Sequence, residues 1–157
     1  MTDRVAILWF RRNLRLADNP ALTEAIERSA RVVPVYVHAP GEESPWVPGP
    51  ASASWLARSL HALASSFEQM GSRLLIVPGP SAEALGRIAG LAGAQEIHYD
   101  ERVEPHVRKR DRRLVATMEA QGVRCVGHHC ALVGDPAGPL TTAGAPYRVF
   151  TPYFNAC

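Results

Sequence analysis

Short runs of apolar and β-branched residues alternate along this chain with longer segments whose apolar residues recur at helical spacing. Residues 4–10 (RVAILWF) precede a helical segment at 20–30, and three further pairs of the same kind follow before residue 122. Strands separated by helices pair in parallel, because each helix returns the chain to the edge of the sheet where the preceding strand began. The alternation predicts an α/β fold in which helices cover a parallel sheet.

Five segments have the composition of strands, and two of them carry a further expectation. They lie at residues 4–10, 31–38, 73–77, 96–100 and 123–127. Pro34 lacks the N–H that a strand donates to its neighbour, so we expect a bulge or a sheet edge on that side. The run RLLIV at residues 73–77 is apolar almost throughout, which is typical of a parallel strand buried on both faces.

Four segments have helical periodicity, at residues 20–30, 56–70, 81–92 and 104–121. Asp18 or Asn19 is placed to cap the first helix, with Pro20 at its first position, and Ser81 is placed to cap the third. The second helix has the clearest apolar stripe, and Gly71 is placed to end it. The stripe consists of Leu56, Leu60, Leu63, Phe67 and Met70.

The last part of the chain breaks this pattern. Residues 131–157 contain frequent Gly and Pro before Tyr147 and have no helical period, so we interpret them as a linker arm without a core of its own. Residues 1–130 then form one α/β domain of ordinary size.

Composition excludes several classes of protein. Hydrophobic residues make up 46% of the chain and charged residues 20%, as in an ordinary globular domain, and the net charge of +2 indicates no particular partner. No segment has the roughly 20 consecutive apolar residues that span a bilayer, so we expect a soluble protein with no membrane partner. The three cysteines are few and odd in number, and no signal-peptide pattern is seen, which predicts a cytoplasmic protein.

Opposite charges follow the first and fourth strands, at the edge where open parallel sheets bind ligands. The loop after the first strand holds Arg11, Arg12, Asn13 and Arg15, and the end of the fourth strand and its loop hold Asp100, Glu101, Arg102 and Glu104. One interpretation is that Arg11 and Arg12 pair with Glu101 and Glu104 at the surface, where each pair contributes about 0 to 1 kcal/mol. The other is a binding or docking edge, which we favour for the cluster as a whole. We then expect Arg11→Ala with Arg12→Ala to leave the fold intact.

Motifs for nucleotide, metal or nucleic-acid binding are weak or missing. The chain has neither G-x-G-x-x-G nor G-x-x-x-x-G-K-[ST]. GPSAEALG at 79–86 fits helix capping better than an anion site, and CVGHHC at 125–130 lacks the ligand spacing of a metal site. RKRDRR at 108–113 fits a solvated helix face better than a nucleic-acid interface. His61 and His98 are interpreted as structural, and no catalytic residue and no metal ligand is assigned.

Residues 7–22 (ILWFRRNLRLADNPAL) resemble the opening of the DNA photolyase and cryptochrome family, which usually reads close to W-F-R-R-D-L-R-x-x-D-N-P-A-L. Residues 37–60 are similar to the second-strand loop and following helix of bacterial cyclobutane-dimer photolyases and plant cryptochromes. GSRLLIVPG, YDERVEPHVRKRD and GAPYRVFTPYFNAC match further segments of the family in order. The resemblance therefore covers almost the whole chain.

This resemblance implies the fold and the place of the chain in a larger protein. The N-terminal domain of the family is a doubly wound, Rossmann-like α/β domain with five parallel strands. Residues 131–157 would lead to a helical domain that binds FAD and damaged DNA and is absent from this sequence. We therefore expect the chain to be a fragment or separately expressed domain of a photolyase, with that FAD-binding domain as its partner.

The resemblance also implies the chemistry. In the parent enzyme, a carbon-carbon lyase, reduced FAD excited by blue or near-ultraviolet light lends an electron to a pyrimidine dimer, which splits and returns it. This DNA repair needs no protein nucleophile, and we expect the fragment alone not to catalyse it. The N-terminal domain holds an antenna chromophore, often a reduced folate or a deazaflavin, in the cleft between the domains.

The resemblance further implies which residues hold the pigment or face the helical domain. Carried over position by position, they are Phe10, Arg11, Arg12, Asn13, His38, Trp46, Asp100, Glu101 and Glu104. Asn13 stands where the family usually has Asp, which removes a charge from the docking edge. His106 and Val107 stand where many folate-binding members have Asn and Glu, so the chain departs from that mode of folate binding.

Two other functions stay open at this stage. The first is a cryptochrome photoreceptor, which has the same fold and a signalling role in place of repair. The second is a free-standing nucleotide-binding module, for which the sequence offers no recognisable phosphate loop and no use for the final segment.

Overall fold

A sheet of five parallel strands forms the centre of the chain. In the computed structural model, which describes residues 3–129 and 138–157, the strand order is β3-β2-β1-β4-β5. The strands are β1 (Val5–Phe10), β2 (Arg31–His38), β3 (Leu75–Pro78), β4 (Glu96–Asp100) and β5 (Arg124–His128). The helices are α1 (Pro20–Arg28), α2 (Pro50–Gln69), α3 (Ser81–Ala92), α4 (Pro105–Ala120) and α5 (Phe150–Ala156), with a 3₁₀ turn at Pro40–Glu43. The predicted five-stranded α/β fold is confirmed.

Both faces of the sheet are covered, because successive residues of a strand point to opposite sides. All six residues of β1 are buried. Ile7 and Trp9 belong to a core that includes the apolar residues of α3 and α4, whereas Leu8 and Phe10 belong to one with those of α1 and α2. Two helices on each face make the sheet doubly wound, and they leave the carboxyl ends of its strands available for a site.

The first helix begins as its sequence predicts. The side-chain oxygen of Asn19 accepts a hydrogen bond from the N–H of Leu22 at 3.2 Å, and Pro20 is the first helical residue. This cap satisfies a backbone donor that the helix itself cannot pair. Across the described ranges, no helix is both long and apolar enough to cross a membrane.

The second helix confirms most of the predicted stripe. Leu60, Leu63 and Phe67 are buried against the sheet. The helix begins at Pro50, ahead of the predicted start. Met70 is 60% exposed, because it lies just after the last helical residue and no longer follows the helical period. Gly71 has a φ of 74°, a left-handed conformation that favours glycine at the end of a helix.

Two expectations about the strands change in the folded sheet. β2 lies between β1 and β3, so Pro34 is not on an edge strand, although β3 pairs with β2 only from Val35 onward. Pro34 therefore lies beside a local end of the pairing, where a missing N–H is tolerated. The expectation that the third strand is buried on both faces is wrong: β3 is at the edge, and Ile76 is 48% exposed.

Two expectations about helices change as well. Pro80, not Ser81, occupies the cap position of α3, and the Ser81 N–H and hydroxyl instead donate to the Glu42 carboxylate at 2.7 and 2.6 Å. The predicted linker arm contains a helix, α5, which escapes detection because two turns are too short to establish a period. Cys130 and the predicted domain boundary after it lie outside the described residues.

Candidate functional site

A cleft of about 1080 Å³ opens at the carboxyl ends of β1 and β2. The loop after β1 forms one side, and the 3₁₀ turn and the start of α2 form the other. The strand order places β2 and β3 on one side of β1 and β4 and β5 on the other, so the cleft lies next to the point where the winding reverses. Ligands of open α/β sheets bind at this position.

Arg11, the first residue after β1, is buried and structural. Its guanidinium donates two hydrogen bonds to Asp111 at 2.7 and 3.2 Å and a third to the carbonyl of Asp100 at 2.9 Å. The guanidinium also lies 4.5 Å from the centre of the Trp9 ring. Burial lowers the pKa of Arg11 and outweighs the opposing effect of Asp111. Arg11 thus ties α4 to the ends of β1 and β4, which fixes the floor of the cleft.

Arg12 and Arg102 share two carboxylates at the rim of the cleft. Arg102 donates to Glu43 at 3.1 and 3.2 Å and to Glu104 at 2.8 and 2.9 Å. Arg12 lies 2.8 Å from Glu104 and 3.5 Å from Glu43, with 61% of its side chain exposed. The hydrogen bonds from Arg102 hold the pKa of Glu104 at about 2. Burial acts to raise the pKa of Glu43, but hydrogen bonds from Arg102 outweigh it and lower the net value.

A second set of ion pairs anchors the 3₁₀ turn. Arg110 of α4 donates to Glu42 at 3.0 Å and to Asp111 at 2.6 and 3.0 Å. Glu42 in turn accepts both hydrogen bonds from Ser81 at the start of α3. The turn after β2 is therefore held by two helices, so the cleft wall that it forms is fixed in the folded chain.

Aromatic side chains supply the apolar surface of the cleft. Phe10 is buried and meets Phe67 edge to face, with ring centres 5.8 Å apart. Trp46 and Trp55 line the cleft and are 75% and 73% exposed. Exposed aromatic rings next to arginines suit a planar molecule that carries negative charge. Asn13 also lines the cleft. Its side-chain Nδ2 is buried and has no hydrogen-bond partner among the described residues.

The nine residues predicted for the site fall into four groups. Six line the cleft: Phe10, Arg11, Arg12, Asn13, His38 and Trp46. Glu104 does not line it but holds Arg12 and Arg102, which do. Asp100 lies behind it and accepts from Arg11 through its backbone carbonyl. Glu101 points elsewhere, with its carboxylate 3.7 Å from His129.

Several residues of the site were missed by the sequence analysis. They are Glu42, Glu43, Arg110 and Asp111. Arg11 pairs with Asp111, not with Glu101, so the predicted pairing is corrected for Arg11 and holds for Arg12 with Glu104. Asp111 also limits the interpretation of residues 108–113 as a solvated face, because it is buried among basic neighbours. In the sequence, the signal for a buried Asp111 is that it is the single acidic residue in the basic run at residues 108–113.

Comparisons with known proteins agree with this architecture. The family model described as DNA photolyase matches residues 6–157. A deoxyribodipyrimidine photo-lyase of Agrobacterium fabrum is 35% identical over 96% of this chain, which spans 31% of the relative's length. Cryptochrome-1 of Arabidopsis thaliana is 33% identical over 97% of this chain, which spans 22% of its length. The crystal structure of a class III photolyase from Agrobacterium tumefaciens superposes with a TM-score of 0.88 at 33% identity, covering 99% of this chain and 32% of that one.

Proposed function

This chain belongs to the DNA photolyase family, and we propose that it is the antenna-pigment domain of a deoxyribodipyrimidine photolyase. The cleft at the carboxyl ends of β1 and β2 carries the proposal, because it combines exposed aromatic rings with arginines on a rigid frame. Its volume of about 1080 Å³ is enough for a pigment of folate or deazaflavin size.

The residues of the cleft have distinct roles in this proposal. Trp46 and Trp55 offer stacking surface, and the exposed part of Arg12 offers a cation to a carboxylate or phosphate on the pigment. The bound pigment would absorb light and pass its energy on, which demands a fixed distance and orientation and no proton transfer by the protein. Arg11 and Asp111 supply that fixity by holding the cleft floor in place.

The activity of the parent protein is part of the proposal. Residues 1–130 would form the α/β domain, and residues 131–157 would lead into a helical domain that binds FAD and damaged DNA. Excited reduced FAD in that domain would supply the electron that splits a pyrimidine dimer. The exposed rings of Phe150 and Phe154 on α5 support a partner surface in this region. We further propose that the parent protein is a lyase that acts in DNA repair in the cytoplasm, because its relatives include deoxyribodipyrimidine photo-lyases of bacteria.

Titration of a pigment tests the role of the cleft. A reduced folate and, separately, a deazaflavin are added to the purified chain, and binding is followed by fluorescence anisotropy. We expect one of them to bind, and Trp46→Ala and Arg12→Ala to weaken binding about tenfold each. Leu91→Ala and Arg87→Ala are matched controls at exposed positions of α3 outside the cleft and are expected to change nothing. Equal affinity in all four variants would contradict the assignment.

A signalling cryptochrome is the alternative, because the Arabidopsis relative is nearly as similar as the Agrobacterium photolyase. Light-dependent repair of a dimer-containing oligonucleotide by the parent protein separates the two. Repair supports the lyase, whereas light-driven reduction of FAD without repair supports the photoreceptor.

A further inference from the structure

Two imidazoles meet under α1, on the face of the sheet that also carries Leu8. His98 of β4 and His128 of β5 have ring centres 5.4 Å apart, and Nδ1 of His98 lies 3.1 Å from Nε2 of His128. His98 is fully buried, and the side chain of His128 is 8% exposed. The carboxylate of Glu24 on α1 lies 3.8 Å from Nδ1 of His128. These groups take no part in the cleft.

The neighbours of His98 prepare it to act as a ligand. Its Nε2 lies 3.3 Å from the Glu96 carboxylate, which also accepts two hydrogen bonds from Arg28 at 3.3 Å. A carboxylate at this position keeps the proton on Nε2, so the lone pair of Nδ1 points toward His128. Imidazoles that bind metals are oriented by second carboxylates in the same way.

We propose that Glu24, His98 and His128 bind a divalent transition-metal ion with zinc-like preferences. One ligand atom from each residue can be chosen so that all three lie within 4.8 Å of one another. Two nitrogens bound to a tetrahedral zinc ion at about 2.0–2.1 Å are about 3.3 Å apart, close to the 3.1 Å between the two rings. Two imidazoles and a carboxylate form a three-ligand zinc set that leaves a fourth position for water.

Access favours an ion at this point. Arg4, Arg28 and Arg124 lie 3.9, 3.3 and 3.5 Å from Glu96 and balance its charge, so Glu24 is the carboxylate that would meet the ion. A depression of about 460 Å³ beside α1 is lined by Glu24 and Arg28, which gives an ion a path from solvent to the carboxylate. This arrangement could not be predicted from the sequence, because Glu24, His98 and His128 come from three different elements. The imidazole that His128 contacts is on β4 and lies outside the CVGHHC motif.

Metal titration of the purified chain tests the proposal. Cys130→Ser and Cys157→Ser are introduced first, because free thiols bind zinc. Cys125 is left in place, since burial raises its pKa to about 11 and keeps it protonated. ZnCl₂ binding is measured by calorimetry, and CoCl₂ binding by the visible absorption of the cobalt site. We expect one ion per chain.

Two variants and two matched controls locate the site. His128→Gln and Glu24→Gln are expected to weaken binding of Zn²⁺ by roughly tenfold or more. His129→Gln changes the next imidazole along the chain and Glu27→Gln an exposed acid on the same helix, and both are expected to bind as the parent does. His98 is left unchanged because it is fully buried, so its replacement would disturb the packing of the sheet as well as the site.

The outcomes separate metal binding from a simple contact between the rings. Zn²⁺ should raise the melting temperature of the parent and the controls, and raise that of His128→Gln by clearly less at the same Zn²⁺ concentration. If the parent shows no saturable binding, the two rings share only a hydrogen bond and the proposal fails. It also fails if both site variants bind as tightly as the controls. Should His128→Gln not fold, Glu24→Gln decides the question, because Glu24 is half-exposed on the helix surface.

Discussion

The two adjacent arginines after β1 have opposite roles, and burial decides which is which. Arg11 has 4% of its side chain exposed and two hydrogen bonds to Asp111, whereas 61% of the Arg12 side chain is exposed. Removing one partner of a buried ion pair leaves an uncompensated charge and costs about 3–5 kcal/mol, while an exposed pair contributes about 0–1 kcal/mol. The expectation that both can be replaced without harm to the fold therefore applies only to Arg12.

We predict that Arg11→Ala lowers the free energy of unfolding by about 3 kcal/mol, the lower end of the range for a buried pair, because Arg110 still contacts Asp111. Arg12→Ala serves as the matched control and should lower it by less than about 1 kcal/mol. Urea denaturation followed by circular dichroism measures both. A loss for Arg11→Ala as small as that expected for Arg12→Ala, below about 1 kcal/mol, would show that the Arg11–Asp111 contact does not stabilise the fold.

Glu104 makes the rim of the cleft sensitive to acid. Its pKa in the folded chain is about 2, below the ordinary value of 4.5, because Arg102 donates hydrogen bonds to the charged form. A lowered pKa in the folded state means that the stabilisation is complete above about pH 4.5 and is lost as the pH falls toward 2. We predict that the melting temperature of the parent exceeds that of Glu104→Gln near neutral pH and that the difference shrinks over this interval. A difference that is constant with pH would contradict the ion-pair assignment.

At the scale of elements, periodicity predicts what is local and fails where tertiary contacts decide. The stripe of α2 is found at Leu60, Leu63 and Phe67, because a helix that packs on a sheet must repeat its apolar residues every three or four positions. Whether a strand lies at the edge depends on the order of all strands in the sheet. The apolar run of β3 therefore could not predict that Ile76 is half-exposed. Helix α5 was missed because it has only seven residues.

The stripe of α2 gives a prediction at this scale. Leu63 is 4% exposed, so Leu63→Ala should lower the free energy of unfolding by about 2–5 kcal/mol through lost burial and the cavity left behind. Met70 follows Phe67 at the same spacing in the sequence, but it lies beyond the last helical residue and is 60% exposed. Met70→Ala should therefore lower the free energy of unfolding by less than about 1 kcal/mol. Chemical denaturation of both variants makes the comparison. A large loss for Met70→Ala would mean that the helix continues past Gln69 and buries this residue.

At the scale of the whole molecule, the sequence predicts the position of the cleft better than it predicts the side-chain pairs that surround it. The rule that ligands bind beyond the carboxyl ends of parallel strands predicted the edge of the sheet at which the cleft opens, and six of the nine residues carried over from the family resemblance line that cleft. The partners were out of reach, because Arg11 meets a carboxylate 100 residues later and His98 meets an imidazole 30 residues later. Such pairings depend on which strands become neighbours and on where each helix crosses the sheet.

Apolar surface on α5 predicts how the whole chain behaves in solution. Phe150 and Phe154 stack with ring centres 5.6 Å apart, yet they are 73% and 65% exposed. Contiguous exposed aromatic surface favours association, since its burial removes apolar area from water.

We predict that the chain self-associates with rising concentration in sedimentation velocity and that Phe150→Ser with Phe154→Ser shifts it toward monomer. Leu91→Ser, at a residue 84% exposed on α3, is the control for the general effect of removing a surface apolar group. If the parent stays monomeric across the accessible concentrations, or if Leu91→Ser has the same effect as the double variant, α5 is not the surface that drives association.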